Sequence, residues 1–224
     1  MRDFLILRLK GPMQSWGQST FEGTRPSAVF PTRSGLLGLL GACLGIRRED
    51  KDAQHNLSHS VRFAIRCDTN EVDGKPVTSS KLSDFHTVKD ARQSYSGLKS
   101  HETIITRREY LCDASFTVAV WLSEQAGLTL DQLQQAVKKP VFTPFLGRKS
   151  CPLTHPLWLD EVSAQNSLAA LNFCPPGGSS IYSEEAIGDN PDKFFVRDEP
   201  IINLPRQFSS RHWYVLKGDQ HVSQ

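Results

Sequence analysis

The stretch from Pro31 to Ile46, PTRSGLLGLLGACLGI, constrains the fold more than any other part of the chain. Its spacing predicts a helix starting near Ser34, with Thr32 or Ser34 as N-cap, because a hydroxyl there accepts an orphan backbone N–H. Gly35, Gly38, Gly41 and Gly45 recur every three or four residues and so line one face. Each costs roughly 1 kcal/mol of helix propensity against alanine. Four together imply the close approach of something flat, a sheet or another backbone. Leu36, Leu37, Leu39, Leu40 and Leu44 supply apolar bulk on the other faces. About a dozen apolar residues fall short of the ~20 that span a bilayer, so this reads as a buried packing helix. It is not a phosphate loop: the run has no lysine, and its glycine spacings do not fit the dinucleotide fingerprint. The helix entrance is a different matter, since Arg33 and the free N–H groups there could hold a phosphate.

Around this helix the apolar pattern alternates like strands. Phe4 to Leu9 puts Leu5, Leu7 and Leu9 on one face, and a charged hinge at residues 47–52 leads to a second strand at Val61 to Cys67. A third strand, Ser115 to Leu122, directs Phe116, Val118, Val120 and Leu122 inward. A second helix follows from Leu128 to Lys138, then a short strand near Leu157 to Leu159. The order β-α-β-(insert)-β-α-β matches the α+β, split ferredoxin-like plan shared by RNA-recognition domains. Residues 1–159 form that domain, interrupted at about 68–110. Residues 160–224 read as a loop-rich extension with strand candidates at Phe194 to Arg197 and Trp213 to Leu216, packed on the same sheet.

The insert is where charge concentrates. Between Lys75 and Arg108, seven basic residues face three acidic ones, a local +4 against +2 for the entire 224-residue chain. So long a segment without a helical period is expected to be a functional, protruding hairpin. Five cysteines without a C-x-x-C pair read as reduced thiols, not as disulfides or zinc ligands. The N-terminus is too short and too charged for a signal peptide, so a soluble, cytoplasmic protein is expected.

Catalytic signatures are sparse. His55 and His59 have helical spacing, but no Glu follows His55 as a zincin requires, and no G-x-S-x-G elbow occurs. Lys99 and His101, with Tyr95 nearby, could in principle cleave RNA without metal. Binding asks for less: Arg, Lys, hydroxyls and glycine N–H groups grip phosphates while aromatics stack on bases. Four loops offer that mixture, around Gln14 and Trp16, Arg33 and Ser34, Phe145 with Arg148 and Lys149, and Arg206 with Arg211. Lys99, Arg107 and Arg108 add the insert's charge. The third strand's outer face carries Ser115, Thr117 and Ala119 in place of paired aromatics, so RNA would meet loops and insert and not an open sheet.

Several blocks in order carry a resemblance: residues 5–17 (LILRLKGPMQSWG), 30–40 (FPTRSGLLGLL), 108–116 (REYLCDASF), 146–153 (LGRKSCPL) and 198–208 (DEPIINLPRQF). Together they resemble the CasD family of subunits of Cascade, the CRISPR surveillance complex of the type I-E system. The resemblance implies a ferredoxin-like subunit whose basic insert is a thumb. It implies a role in holding the 5′ handle of the CRISPR RNA and contact with the backbone subunit CasC and the large subunit CasA. Target DNA is reached through the assembled complex in antiviral defence. No cofactor or metal is implied. A related branch of the family cleaves precursor RNA, whereas in the type I-E branch CasE does so. The expectation is therefore a non-catalytic RNA-binding subunit, with a metal-independent endoribonuclease as the alternative.

Overall fold

Phe4, Leu5, Ile6, Leu7 and Leu9 are all fully buried in the first strand, Arg2–Lys10 (β1), so its sheet is covered on both faces. The computed structural model describes residues 1–18, 20, 23–72, 75–77, 79–89, 103–174, 178–188, 191–204 and 207–217. After β1 come helices Arg33–Leu44 (α1) and Lys51–Ser60 (α2), and α2 leads straight into strand Val61–Asp68 (β2). Ser80–Val88 (β3) and Ile104–Cys112 (β4) pair along their full length as an antiparallel hairpin. Ser115–Leu122 (β5), helix Leu130–Lys138 (α3) and Trp158–Ala164 (β6) follow, then helix Ser167–Asn172 (α4). Gly178–Ser183 (β7), Asp192–Pro200 (β8) and Phe208–Lys217 (β9) end the described chain.

Seven strands form one sheet in the order β6-β1-β5-β2-β7-β9-β8, every neighbouring pair antiparallel. The fold is thus α+β with antiparallel sheets. One face buries Leu5, Leu7, Leu9, Phe63, Ile65, Val118 and Val120 in a single core with Leu36 and Leu40 of α1 and Leu133 and Val137 of α3. On the other face Phe4, Ile6, Ala64, Ala119 and Trp121 share a second core with Ala170 and Leu171 of α4. This cover explains the polar outer residues of β5. Arg66, 2% exposed, donates to the Leu171 and Cys174 carbonyls, to Thr117 Oγ1 and to Asp68. Asp68 in turn accepts from the Ser115 and Thr117 hydroxyls.

Two segments differ from the sequence reading. Only the last two residues of the charged hinge, Lys51 and Asp52, are helical. They open helix α2, which fills the stretch up to β2 that the sequence pattern leaves unassigned. Asp50 starts it, its side chain accepting the Ala53 N–H, with Asp52 favourably placed in the first turn. The short strand expected near Leu157 to Leu159 is the start of β6, which runs on to Ala164. The stretch after it holds α4 and β7, too short or too polar to announce themselves by periodicity.

The glycine face of α1 has a narrower purpose than a stripe implies. Thr32 is the N-cap, its hydroxyl accepting the Gly35 N–H. A Cβ on Gly35 would sit 2.7 Å from the Trp16 ring, whereas one on Gly38 would meet nothing within 4 Å. Gly45 ends the helix at φ 75°, and the Ile46 N–H returns to the Gly41 carbonyl. The flat object is therefore one indole, at one end.

All five cysteines are free thiols; burial pushes Cys43 to about 11 and Cys67 to about 12. Among the described residues no helix is long and apolar enough to cross a membrane.

Candidate nucleic-acid interface

Most of the cationic residues predicted from sequence to touch phosphate fall into two groups with opposite environments. The first group lies inside. Arg33 is 3% exposed, and its side chain donates to both Glu184 oxygens (2.8 and 3.0 Å) and to the Ser58 and Val61 carbonyls, and it pairs with Glu199. Its backbone N–H, at the entrance of α1, donates to Asp198 at 2.7 Å. A carboxylate of the chain's own β8 thus occupies the place expected for a phosphate. Arg211 donates to the same Asp198 at 2.6 Å, pairs with Glu184 at 3.1 Å and lies 4.1 Å over the Trp213 ring. Burial pushes the Glu184 carboxyl above its ordinary range while Arg33 and Arg211 pull it back. Arg33 and Arg211 are therefore tertiary glue and not phosphate ligands.

Gln14 and Trp16 are corrected for a similar reason. Gln14 is fully buried, donating to the Leu9 and Ala114 carbonyls and accepting the Trp16 indole N–H. Trp16 is almost fully buried, with Gly35 against its ring, so it borders the cleft described below without offering a face to a base.

The second group is at the surface, along the middle of the β3–β4 hairpin, where Arg107 and Arg108 are successive residues of β4 and so point to opposite faces. The pair Thr24–Arg25 runs parallel to β4, placing Arg25 beside Arg108 and Thr24 beside Arg107. Arg148 donates to the Arg25 and Glu109 carbonyls, both at 3.2 Å, with its guanidinium 4.6 Å over the Tyr110 ring. Lys149 is exposed next to it. Glu109 accepts the Ser27 N–H and the Lys81 ammonium, each at 3.1 Å, and these hold its carboxyl below the usual range. Arg25 is a member that sequence reasoning missed; nothing in the loop around it marked its register with β4.

Between the groups the four loops chosen from sequence do meet. A cleft of about 280 Å³ is lined by Ser15, Trp16, Gly17 and Gln18, by Thr32, Ser34 and Gly35, by Gly147, and by Arg197 and Phe208. Gly147 makes the junction possible: at φ 86° it packs so tightly on the Ser15 carbonyl that a Cβ would overlap it, and the Ser15 N–H donates to Leu146. Ser15 Oγ shares the Glu109 carbonyl with Arg148, tying the cleft to the basic surface. Phe145 is half-buried, bridged to Pro152. Lys99, Arg206 and the pair considered for catalysis, Lys99 with His101, lie outside the described residues. Gln18, Arg197 and Phe208 were missed because cleft-lining here comes from loop ends, whose facing no periodicity reveals.

No group of three or more His, Cys, Asp or Glu side chains among the described residues stands where it could share a metal ion. The comparisons with known proteins agree with one another. The chain is 60% identical over 224 residues to "CRISPR system Cascade subunit CasD" of Escherichia coli (strain K12), covering all of both chains. Among solved structures it resembles a chain of a CRISPR RNA-guided surveillance complex, with TM-score 0.71 and 27% identity, over 96% of this chain and 90% of that one. It also resembles a crystal structure of a Cas protein, with TM-score 0.62 and 28% identity, over 97% and 96% of the two chains. The family described as CRISPR-associated protein (Cas_Cas5) matches residues 4–214, and the chain belongs to that family.

Proposed function

We propose that the chain is a non-catalytic, RNA-binding subunit of a type I-E Cascade complex, holding the 5′ handle of the CRISPR RNA. The observation that carries this reading is the convergence of four glycine- and hydroxyl-bearing loops on one cleft beside the Arg25, Arg108, Arg148 and Lys149 surface. Such a combination grips a phosphate backbone that is kinked or single-stranded, through N–H groups and guanidiniums. The names of the relative and of the surveillance-complex structure support the assembly. Within it this chain joins a CasC-type backbone subunit and a CasA-type large subunit, and reaches target DNA only through the complex. We read the order β6-β1-β5-β2, joined by α1 and α3, as the ferredoxin-like plan of a domain whose expected end at residue 159 moves to Ala164, the end of β6. Residues 68–110 are its thumb, and the residues after β6 an extension that widens the sheet.

The test is the salt dependence of binding to handle RNA. Each phosphate contact to a single strand contributes about −0.7 to the log–log slope. Removing Arg107, Arg108 or Lys149 should flatten the slope by about that amount without changing the melting temperature. A slope unmoved by all three alanine variants overturns the assignment. The same RNA incubated with pure protein in EDTA should stay intact; specific cleavage lost in His101→Ala would establish the endoribonuclease instead.

A further inference from the structure

The second face of the large sheet loses its cover before the sheet ends. The α4 core includes Ile181 of β7 and reaches Tyr214 and Leu216 of β9, but β9 and the edge strand β8 continue past it. In register, Phe195 stands opposite His212 and Lys193 opposite Tyr214. The Phe195 and His212 rings lie 4.2 Å apart, tilted by 42°, and the Lys193 ammonium is 5.2 Å from the Tyr214 ring. Phe195 is 71% exposed; among the large hydrophobic residues described, only Met1 is more so. A bare phenylalanine on an edge strand invites aggregation and marks an interaction surface.

Charge narrows the occupant. Residues 193–197 and 210–214 contain no carboxylate, and the carboxylates that follow, Asp198 and Glu199, turn inward at a bulge to meet Arg33. Arg197, two residues beyond Phe195, lines the cleft at the entrance of α1. Aromatic faces interleaved with cations, and no acidic group between them, suit stacked bases and their phosphates. We propose that Phe195, His212 and Tyr214 form a stacking platform for a single-stranded nucleic acid, with Lys193 and Arg197 on its phosphates. The platform is a second contact and does not depend on the handle reading.

The experiment measures anisotropy of labelled oligo-uridine, oligo-thymidine and handle RNA with the full chain at low salt. Because losing one base–aromatic stack weakens binding by about 5- to 100-fold, Phe195→Ala should lose that much affinity for a homopolymer. Phe195→Trp should keep it, and Phe195→Leu, apolar but without a π face, should fall with the alanine variant. Tighter binding of uridine or of thymidine distinguishes RNA from DNA as the source. Phe195 is exposed, so a melting curve should show all variants folded. Wild-type affinity in Phe195→Leu, or no homopolymer binding by the wild type, overturns the platform. So does a Phe195→Ala chain that binds nucleic acid normally but no longer joins its protein partners. Handle binding that fails in the wild type while homopolymer binding needs Phe195 would sink the handle reading alone.

Discussion

Arg33 and Arg148 start from similar sequence surroundings, each beside a glycine and a serine in a turn-rich segment, and end in opposite roles. Arg33 is enclosed with Arg211 among Glu184, Asp198 and Glu199, so two guanidiniums answer three carboxylates. Arg148 hangs its guanidinium on two carbonyls and a tyrosine ring at the edge of an open basic surface. What separates them is the partner, and the partner comes from far away in sequence: Glu184 and Asp198 are strand-end residues more than 150 positions after Arg33. An interior arginine fixes the tail against α1; a surface arginine leaves its charge available for another molecule.

The largest effect should come from breaking the interior group. Removing one partner of a buried ion pair costs about 3–5 kcal/mol, because the remaining charges stay buried and uncompensated. For a chain of this size that lowers the melting temperature by roughly 6–20 °C. Arg33→Ala should show this in thermal denaturation. Lys149→Ala, at the surface, should stay within about 0.5 kcal/mol of the wild type. A mild Arg33→Ala would erase the distinction.

Gly35 and Gly38 sharpen the same lesson at smaller scale, since both sit on one helix face and only one has a neighbour. Gly35→Ala drives a methyl into the Trp16 ring, and overpacking of that kind costs about 1–3 kcal/mol, offset by up to about 1 kcal/mol of helix propensity. Gly38→Ala meets open space and keeps the propensity gain. Urea denaturation should therefore move in opposite directions for the two variants. Parallel shifts would mean that Trp16 yields.

These contrasts mark what was legible in the sequence. Strand alternation gave β1, β2 and β5, because the face of each against α1 and α3 is built of large apolar side chains, although α4 covers their other face as well. Local chemistry narrowed the cap of α1 to Thr32 or Ser34, and charge with the missing helical period marked the segment in which β3 and β4 pair. The candidate loops were legible as loops, and their meeting at one cleft was not, since it depends on Gly147 fitting against the Ser15 carbonyl. Individual site residues fared worst. Trp16 and Gln14 look like ligand contacts in a glycine-rich loop, yet each satisfies the other and the backbone around it. α2 was hidden by its polar composition: only Leu57, Ser58 and Ser60 of its ten residues are buried.

The gentlest probe compares the carboxylates of the two regions. Glu109, held by the Ser27 N–H and Lys81, has its folded pKa lowered, so the stability it adds is present above the unfolded value near 4.3 and is lost as pH falls through the folded value. Glu184 has its folded pKa raised, chiefly by burial, so its contribution is intact below the unfolded value and declines as pH rises through the folded one. Replacing each by glutamine, which imitates the protonated acid, should separate the two. Glu109→Gln should be slightly less stable than the wild type at neutral pH, and the gap should close in acid. The effect is small because that carboxylate faces solvent and exposed pairs contribute little. Glu184→Gln should match the wild type in acid and gain on it as pH rises, because one of three carboxylates facing two guanidiniums is no longer charged. Urea midpoints measured from pH 3 to 8 decide the matter. Two curves that run parallel across that range would show that the interior and surface carboxylates feel the same field, and the contrast between the regions would fail at its most sensitive point.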